Sequence, residues 1–384
     1  MLARGEGCYV FDTEGKRYLD LYAGIAVSSL GHAHPGLVAA VTEQVSRLIH
    51  TSNLFYSDKT AELAQKLCAR SGMARVFFCN SGTEGIEGAI KLVRRFHYGK
   101  GSCERQHIVA TWSAFHGRSM GAVSLTGQPK YWEGFGAPIA HVSHTKYGDL
   151  EAMARRLNDQ TAAVFVEPIQ GEGGVLPAPE GYLAGLRALC DKVGALLVLD
   201  EIQTGVGRTG RFLASEHDGV KADVVVLAKG LGGGVPIGAI LVGEHCAGAL
   251  PVGTHGTTFG GNPLAAAAAL AVLRAYEEQD LAGNAARVGE HLLSKLRGLC
   301  EKYPAVAVAA RGRGLMCGLE LAADIDPRGV LGALRDKGVL LSTAGDRVLR
   351  FVPPLVVTSA QIDEGIAALD EVLSAAPRVV APQK

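Results

Sequence analysis

The sequence lacks the features that mark several common classes of protein. Its eight cysteines are scattered without a CxxC pair, which predicts reduced thiols rather than a disulfide framework or a zinc site. The formal net charge is zero and no basic stripe occurs, so nucleic acid is not an expected partner. The longest apolar run, PLAAAAALAVL (263–273), is too short to cross a bilayer. We therefore expect a cytoplasmic protein with no membrane or nucleic-acid partner.

Several catalytic motifs are also missing. No GxxxxGK[ST] pattern occurs, which excludes a P-loop, and neither HExxH nor GxSxG is present. The segment GVGRTG (205–210) does fit GxGxxG. It follows the apolar run LLVLD only after four further residues, however, and no clear helix opens behind it. A nicotinamide-dependent dehydrogenase is therefore the weaker alternative, and titration with NAD(H) would test it.

Short apolar runs alternate with helical patterns in the middle of the chain. This alternation predicts an α/β fold with a mostly parallel central sheet that is covered on both faces. Polar or glycine-rich segments follow the first five runs, and ligands of open α/β sheets bind beyond the carboxyl ends of strands. We expect these segments to converge on one crevice. The runs are RVFFC (75–79), HIVATW (107–112), AAVFVE (162–167), ALLVLD (195–200), DVVVLAK (223–229) and AILVG (239–243).

The pattern changes after residue 262 and predicts a smaller α+β domain. The chain also begins with a predicted hairpin that turns at Glu14–Gly15. We predict a large domain of residues 44–262 and a small domain formed by residues 1–43 and 263–384. The elements predicted after residue 262 are helices at 264–278, 285–302, 327–337 and 359–374, a strand pattern at 305–321, and two short strands at 339–343 and 347–352.

Two charged residues stand at the ends of apolar runs. Lys229 separates DVVVLA from GLGGG, and Asp200 ends LLVLD. A salt bridge between them would explain both residues. Lys229 alone would also be explained if its charged end reached solvent. Alternatively, Lys229 is a neutral amine that attacks a carbonyl to form a Schiff base, and Asp200 pairs with a protonated ring nitrogen. Pyridoxal 5′-phosphate (PLP) offers both an aldehyde and a pyridinium.

Further candidates follow the other predicted strands. The loop Ser81-Gly82-Thr83 opens a predicted helix, so it is either an ordinary helix cap or a site for a phosphate. Phe115 is either a core aromatic or a ring that stacks on a flat cofactor. His116 beside it is expected to be a structural histidine whose ring nitrogens have hydrogen-bond partners within the protein. The remaining candidates are Arg118 and Arg350, as surface pairs or carboxylate clamps, and Glu172 on a glycine-flanked loop.

Eight ordered motifs along the whole chain resemble the class III aminotransferases, which are PLP-dependent transferases of fold type I. They include FFCNSGTEGIEGAIKLVR, EPIQGEGGV, LDEIQTGVGRTG, LAKGLGGGVPIGA and LRFVPPLVV. Within this class, LYAGIAVSSLGHAHP, SNLFY and HGTTFGGNPLA are most similar to the acetylornithine aminotransferases. The resemblance implies a large domain with a mostly parallel central sheet and a smaller α+β domain.

The resemblance also implies a role for each matching position. Lys229 would form the Schiff base, Asp200 would pair with the pyridine nitrogen, and Thr258 would reach the phosphate bound by the neighbouring subunit of a homodimer. The other implied cofactor contacts are Ser81, Gly82, Thr83, Phe115, Glu201 and Gln203, and the implied substrate contacts are Arg118, Glu172, Thr257 and Arg350.

The implied activity is a ping-pong transamination between N2-acetylornithine and 2-oxoglutarate. It would give N-acetylglutamate 5-semialdehyde and glutamate, a step of arginine biosynthesis. Arg350 would hold the α-carboxylate of 2-oxoglutarate or glutamate, and Glu172 would pair with Arg350 when a terminal amine reacts. Succinylornithine, succinyldiaminopimelate, ornithine and 4-aminobutyrate remain alternative amino donors, and a non-catalytic PLP-binding relative is a remote alternative.

The helix after the phosphate loop departs from the family pattern. Relatives usually carry TEANEAAIK, whereas this chain has TEGIEGAIK, with Ile86 in place of asparagine and two additional glycines, Gly85 and Gly88. Glycine inside a helix costs about 1 kcal/mol relative to alanine. We therefore expect this helix to be less stable than in relatives while it keeps its phosphate donors.

Overall fold

The largest sheet has seven strands and lies at the centre of the protein. The computed structural model describes residues 1–379. Neighbouring strands are parallel except at Gly238–Val242, which runs antiparallel to both of its neighbours. The predicted mostly parallel sheet is therefore confirmed. Across the sheet the strands are Arg75–Cys79, Gly238–Val242, Val224–Leu227, Leu196–Asp200, Thr161–Val166, His107–Thr111 and Val142–Thr145.

The central strands are buried on both faces, as their continuous aliphatic composition requires. Val224 and Val226 pack in one apolar cluster with the helix Gly82–Gly99. Val225 and Leu227, which point the opposite way, belong to the larger cluster on the other face. Both faces of this sheet therefore exclude water, and its carboxyl edge remains for polar residues.

The helices cover the sheets and begin at recognisable caps. Asn262 accepts a hydrogen bond from the N–H of Ala265 (2.9 Å), and Thr358 forms a capping box with Gln361. None of the helices within residues 1–379 has the length and apolarity needed to cross a membrane. The longer helices are Pro35–Arg47, Asp58–Ser71, Gly82–Gly99, Met120–Leu125, Leu150–Arg156, Tyr182–Val193, Pro263–Glu278, Leu281–Lys302, Pro327–Asp336 and Ser359–Ser374. Short 3₁₀ helices lie at Pro129–Tyr131, Ala214–His217, Lys229–Gly232 and Glu244–Cys246.

The smaller sheets join the two ends of the chain. The predicted N-terminal hairpin is present, and its strand Arg17–Asp20 pairs in parallel with Val339–Leu340. The pattern predicted as a strand at 305–321 is an antiparallel hairpin, because Gly314 (φ 57°) turns the chain. The first of these sheets contains Leu2–Glu6, Tyr9–Asp12, Arg17–Asp20 and Val339–Leu340, the second contains Ala307–Arg313, Met316–Leu321, Val348–Phe351 and Ser342–Ala344, and a two-stranded sheet pairs Ile169–Gln170 with Leu176–Pro177.

A short helical turn, Ala23–Ala26, has left-handed backbone throughout, with φ from 49° to 66°. Such a run is unfavourable for residues other than glycine and needs support from its surroundings. Asp20 supplies part of it, because its carboxylate accepts hydrogen bonds from the N–H groups of Tyr22 (3.0 Å) and Ala23 (2.7 Å). Just after this turn, the hydroxyl of Ser29 donates to the carbonyl of Gly230 (2.8 Å), so the turn lies directly against the segment that contains Lys229.

Candidate active site

A cavity of about 430 Å³ opens at the carboxyl edge of the central sheet. Segments that are widely separated in the sequence meet there, because most of them follow a parallel strand of the same sheet and one, at 234–237, precedes its antiparallel strand. The crevice expected from the strand ends is therefore present. The cavity is lined by nine of the residues predicted for the site, namely Ser81, Gly82, Thr83, Phe115, Arg118, Glu172, Asp200, Gln203 and Lys229.

Lys229 stands on the cavity wall in an unusual backbone conformation. It begins the turn that follows the strand Val224–Leu227, and its φ of 44° lies in the left-handed region. Burial is the main influence on its side chain and lowers the pKa of the ammonium group. Within residues 1–379 it forms no ion pair, so the salt bridge with Asp200 that the sequence left open is absent. The lowered pKa favours the neutral amine, the form that can act as a nucleophile or a base.

Asp200 instead pairs with His116. Its Oδ2 lies 2.7 Å from Nδ1 of His116, and its Oδ1 accepts a hydrogen bond from the N–H of Ile202 (3.0 Å). Both side chains are almost fully buried. Burial alone would lower the pKa of His116, but the hydrogen bond and the charge of Asp200 raise it. The pair therefore fixes the carboxyl group of Asp200 on the floor of the cavity, in position for a cationic ligand group.

Glu167 adds a second buried carboxyl group beside this pair. It accepts hydrogen bonds from the N–H groups of Phe115 (3.0 Å) and Gly171 (3.2 Å), and burial raises its pKa. Sequence reasoning assigned no site role to Glu167 and expected His116 to be merely satisfied. The signal for Glu167 was its position directly after the strand Thr161–Val166, and His116 lies five residues beyond the end of the strand His107–Thr111, at the same edge of the sheet.

The start of the helix Gly82–Gly99 forms the opposite wall of the cavity. Ser81 is the N-cap and accepts a hydrogen bond from the N–H of Glu84 (3.3 Å). The first N–H groups of any helix have no partner within the helix, and its dipole favours an anion at this end. A Cβ at Gly82 would lie only 2.7 Å from the side chain of Ile202, so a larger residue here would have to displace Ile202. The arrangement forms an anion cradle.

Two aromatic rings and a guanidinium lie near the mouth of the cavity. Phe115 is half-buried on its wall. The exposed Arg118 guanidinium lies 4.1 Å from the ring centre of Tyr131 and 5.5 Å from that of Phe115. These contacts hold a positive charge at the entrance, where it can meet an incoming carboxylate.

Arg350 lies behind this lining rather than on it. It is buried on the strand Val348–Phe351, and its Nε donates to the hydroxyl of Ser342 (3.3 Å). Its Nη1 donates to the carboxylate of Glu172 and lies 3.5 Å from Oε1 of Gln203. Because Glu172 and Gln203 do line the cavity, Glu172 covers a buried arginine that would otherwise face the cavity.

Glu201, whose contact with the cofactor stays a prediction, does not line the cavity. Its carboxylate faces away from the cavity and accepts hydrogen bonds from the hydroxyl of Thr204 (2.6 Å) and from the N–H groups of Ala214 and Ser215 (both 2.9 Å). A fully buried carboxylate with three such donors is occupied in stabilising its own loop.

Thr257 and Thr258 also lie outside the cavity lining. The hydroxyl of Thr257 accepts from the N–H of Gly260 (3.1 Å) and from the side chain of Asn80 (3.4 Å), which does line the cavity. Thr258 is exposed. Within a single chain, therefore, neither threonine is brought to the site.

Comparison with known proteins identifies the family. The model of aminotransferase class-III matches residues 1–373. An acetylornithine aminotransferase of Gloeobacter violaceus is 50% identical over 382 residues, covering 98% of this chain and 94% of that protein. One of Mycobacterium leprae is 47% identical over 380 residues, covering 98% and 91%.

Solved structures give the same result. An N-acetylornithine aminotransferase of Stenotrophomonas maltophilia superposes with a TM-score of 0.86 at 40% identity, covering 98% of this chain and 95% of that chain. An ornithine aminotransferase of Toxoplasma gondii, described with partial occupancy of PLP at its active site, superposes with a TM-score of 0.94 at 36% identity, covering 98% and 90%. The chain belongs to the class III aminotransferases and has their fold type I architecture.

Proposed function

We propose that this chain is a PLP-dependent aminotransferase that moves the terminal amino group of N2-acetylornithine to 2-oxoglutarate. The observation that carries this proposal is the single cavity that contains Lys229, Asp200 and the start of the helix Gly82–Gly99. Relatives at 45–50% identity that bear the name acetylornithine aminotransferase support the choice of substrate. A step of arginine biosynthesis, in the cytoplasm, is the corresponding biological role.

The residues in the cavity fit PLP at each end of that molecule. The anion cradle at Gly82 and Thr83 suits a phosphate, and the buried carboxylate of Asp200 suits a protonated ring nitrogen. PLP would supply an aldehyde that bonds to an amine and a pyridinium that draws electrons from the bond being broken. Phe115 would stack on the ring, and Gln203 would contact the ring hydroxyl.

Lys229 is the residue that we expect to transfer protons. Its burial favours the neutral amine, which can bond to the aldehyde at rest and, once released, accept and return the proton of the reacting carbon. Asp200 would hold the ring nitrogen protonated throughout, and His116 would keep the carboxyl group of Asp200 oriented. Because the first product leaves before the second substrate binds, ping-pong kinetics are expected.

The ion pair between Arg350 and Glu172 offers a means of accepting two different substrates. The α-carboxylate of 2-oxoglutarate or glutamate lies next to the reacting carbon and would displace Glu172 from Arg350. The reacting amine of acetylornithine is far from its carboxylate, so the pair would stay closed. Arg118, at the mouth of the cavity, would then hold the distant carboxylate. Thr257 would contact the acylated substrate only if a second copy of the chain brought it to the site, as is proposed for Thr258 below.

We further propose a homodimer with shared active sites. Large apolar side chains are exposed in two neighbouring segments, including Leu54 (86%), Phe55 (71%) and Phe259 (61%). Asn53 joins the segments, because its side chain donates to the carbonyl of Thr257 (2.8 Å). Burial against a second copy would cover this surface and bring Thr258 to the neighbouring site. Leu54→Glu should produce monomers in sedimentation-velocity experiments, whereas an unchanged sedimentation coefficient would contradict this interface.

The division into domains is also part of the proposal. Residues 44–262 would form the large domain, and residues 1–43 with 263–384 the small domain, of which 380–384 lie outside the described residues. The pairing of Arg17–Asp20 with Val339–Leu340 supports joining the two ends of the chain in one unit.

Other amino donors of the same class are the main alternative. The TM-score is higher for the ornithine aminotransferase than for the N-acetylornithine aminotransferase, so the overall fold does not select the substrate. The sequence identities, 36% and 40%, favour the acylated substrate. Succinylornithine, succinyldiaminopimelate, ornithine and 4-aminobutyrate should therefore be tested beside it.

The decisive experiment measures glutamate formation from 2-oxoglutarate with each amino donor. The PLP-loaded protein should show its highest kcat/KM with N2-acetylornithine, and a Lys229→Ala variant should show no turnover. A higher kcat/KM with any other donor would overturn the substrate assignment. The absence of glutamate with every donor would overturn the proposed activity.

A further inference from the structure

Arg208 is a buried cation for which the site described above gives no role. It lies in GVGRTG (205–210), the segment whose glycines suggested a dinucleotide site, and only 2% of it is exposed. It forms no ion pair within residues 1–379, and burial lowers the pKa of its guanidinium. A buried charge without an acidic partner is costly unless it is well hydrogen-bonded. Its neighbours should therefore explain why it is there.

The neighbours of Arg208 are two backbone carbonyls of the C-terminal part of the chain. Its Nη1 donates to the carbonyl of Leu315 (3.0 Å) and to that of Pro353 (2.5 Å). In return, the N–H of Leu315 donates to the carbonyl of Arg208 (3.0 Å). One side chain thus joins two remote segments to its own loop.

Those two segments meet at one end of a pair of antiparallel strands. Leu315 directly precedes the strand Met316–Leu321, and Pro353 follows the strand Val348–Phe351. The strands pair with Gly318 opposite Arg350. Arg208 therefore fixes the end of the sheet on which Arg350 stands, three residues before Pro353.

The loop that contains Arg208 also reaches the floor of the cavity. The loop of Arg208 begins just after Asp200 and carries Gln203, whose Oε1 lies 3.5 Å from Nη1 of Arg350. The glycines of GVGRTG serve close packing rather than nucleotide binding, since a Cβ at Gly207 would lie 2.7 Å from the ring of Tyr276. Gly314, which faces the loop of Arg208, is also closely packed, since a Cβ there would lie 2.7 Å from the carbonyl oxygen of Arg208.

We propose that Arg208 is a positioning residue that sets the location of Arg350 relative to the cavity, and with it the affinity of the site for substrates with an α-carboxylate. That these substrates are 2-oxoglutarate and glutamate rests on the proposed function. A displacement of about 1 Å at such a clamp can cost as much as 100-fold in rate or affinity. Arg208 would thus act on 2-oxoglutarate and glutamate without touching either.

The test compares Arg208→Met with Arg211→Met, an exposed arginine of the same loop. Arg208→Met should raise the KM for 2-oxoglutarate by about tenfold, with less than about a threefold change in kcat and in the KM for the amino donor. Arg211→Met should match the unaltered protein. Equal increases in both KM values, or none in a folded variant, would overturn the proposal.

A binding measurement separates this inference from the proposed activity. Glutarate has two carboxylates but no group that can react. Calorimetric titration with glutarate therefore measures carboxylate binding at the site of Arg350 without any chemical step. Its dissociation constant should rise by the same factor of about ten in Arg208→Met. If the protein does not use acetylornithine but glutarate binding weakens in this way, the proposed function fails and the role of Arg208 stands.

A double-mutant cycle separates positioning from general destabilisation. In an Arg350→Met background, Arg208→Met should weaken glutarate binding by less than about twofold, because its effect acts through Arg350. Fully additive losses would overturn the proposal. If Arg208→Met does not fold, Arg208→Lys keeps the charge with a shorter reach and should weaken glutarate binding by about threefold. Affinity equal to that of the unaltered protein in folded Arg208→Lys would also overturn it.

Discussion

Substitution of Gly85 by alanine should destabilise the protein, although alanine is the better helix former. Gly85 lies in the first turns of the helix Gly82–Gly99, whose start forms the anion cradle. A Cβ built on it would lie 2.6 Å from Cγ1 of Val226. Val226 is fully buried and paired on both sides, with Asp200 and Ile240. It therefore has little freedom to move aside.

Two opposing effects set the magnitude. Replacing glycine inside a helix favours folding by about 1 kcal/mol, whereas forcing a methyl group into a packed core costs about 1–3 kcal/mol. The contact is well below the separation that real Cβ atoms adopt, and Val226 is β-branched, so the cost should prevail. We expect Gly85→Ala to lower the free energy of unfolding by about 1 kcal/mol.

Gly298 provides the matched control. It lies within the helix Leu281–Lys302, is exposed, and has no heavy atom within 4 Å of an added Cβ. Gly298→Ala should therefore raise the free energy of unfolding by about 0.5–1 kcal/mol. Urea denaturation followed by circular dichroism measures both variants. If Gly85→Ala stabilised the protein as much as Gly298→Ala, close packing would not be the reason for the glycine.

Two further predictions concern the ion pair and a buried histidine. Glu172→Ala should slow the single-turnover half-reaction with acetylornithine about tenfold but that with glutamate less than about threefold, because only the first needs Arg350 neutralised; equal losses in stopped-flow absorbance would contradict this. Burial lowers the pKa of His144 to about 4, so its neutral form is favoured in the folded state. Stability should then fall by about 3 kcal/mol as the pH drops from 7 to 4, and urea titrations of His144→Phe should lack this component.

The strand ends could be predicted from the sequence because their signal is local. A run such as VVVL is buried on both faces of a parallel sheet, and a charged residue just beyond it has to lie at the sheet edge. Lys229 and Asp200 stand out for this reason. Glu201 also follows such a strand, but its contact with the cofactor is implied only by the family resemblance. Its carboxylate points the other way because the N–H groups of Ala214 and Ser215, more than ten residues later, need an acceptor there.

The partner of Asp200 could not be predicted in this way, because the order of strands decides it. Both Lys229 and His116 could have met the need of a buried carboxylate for a partner. The strand of Asp200 lies between Val224–Leu227 and Thr161–Val166, and the strand that leads to His116 is one place further. His116 nevertheless reaches Asp200, 84 residues away in the chain, and Lys229 forms no ion pair with any residue from 1 to 379. Burial lowers the pKa of Lys229 even though the charge of Asp200 acts in the opposite direction. The orientation of Asp200 at the site thus depends on a contact that strand order creates.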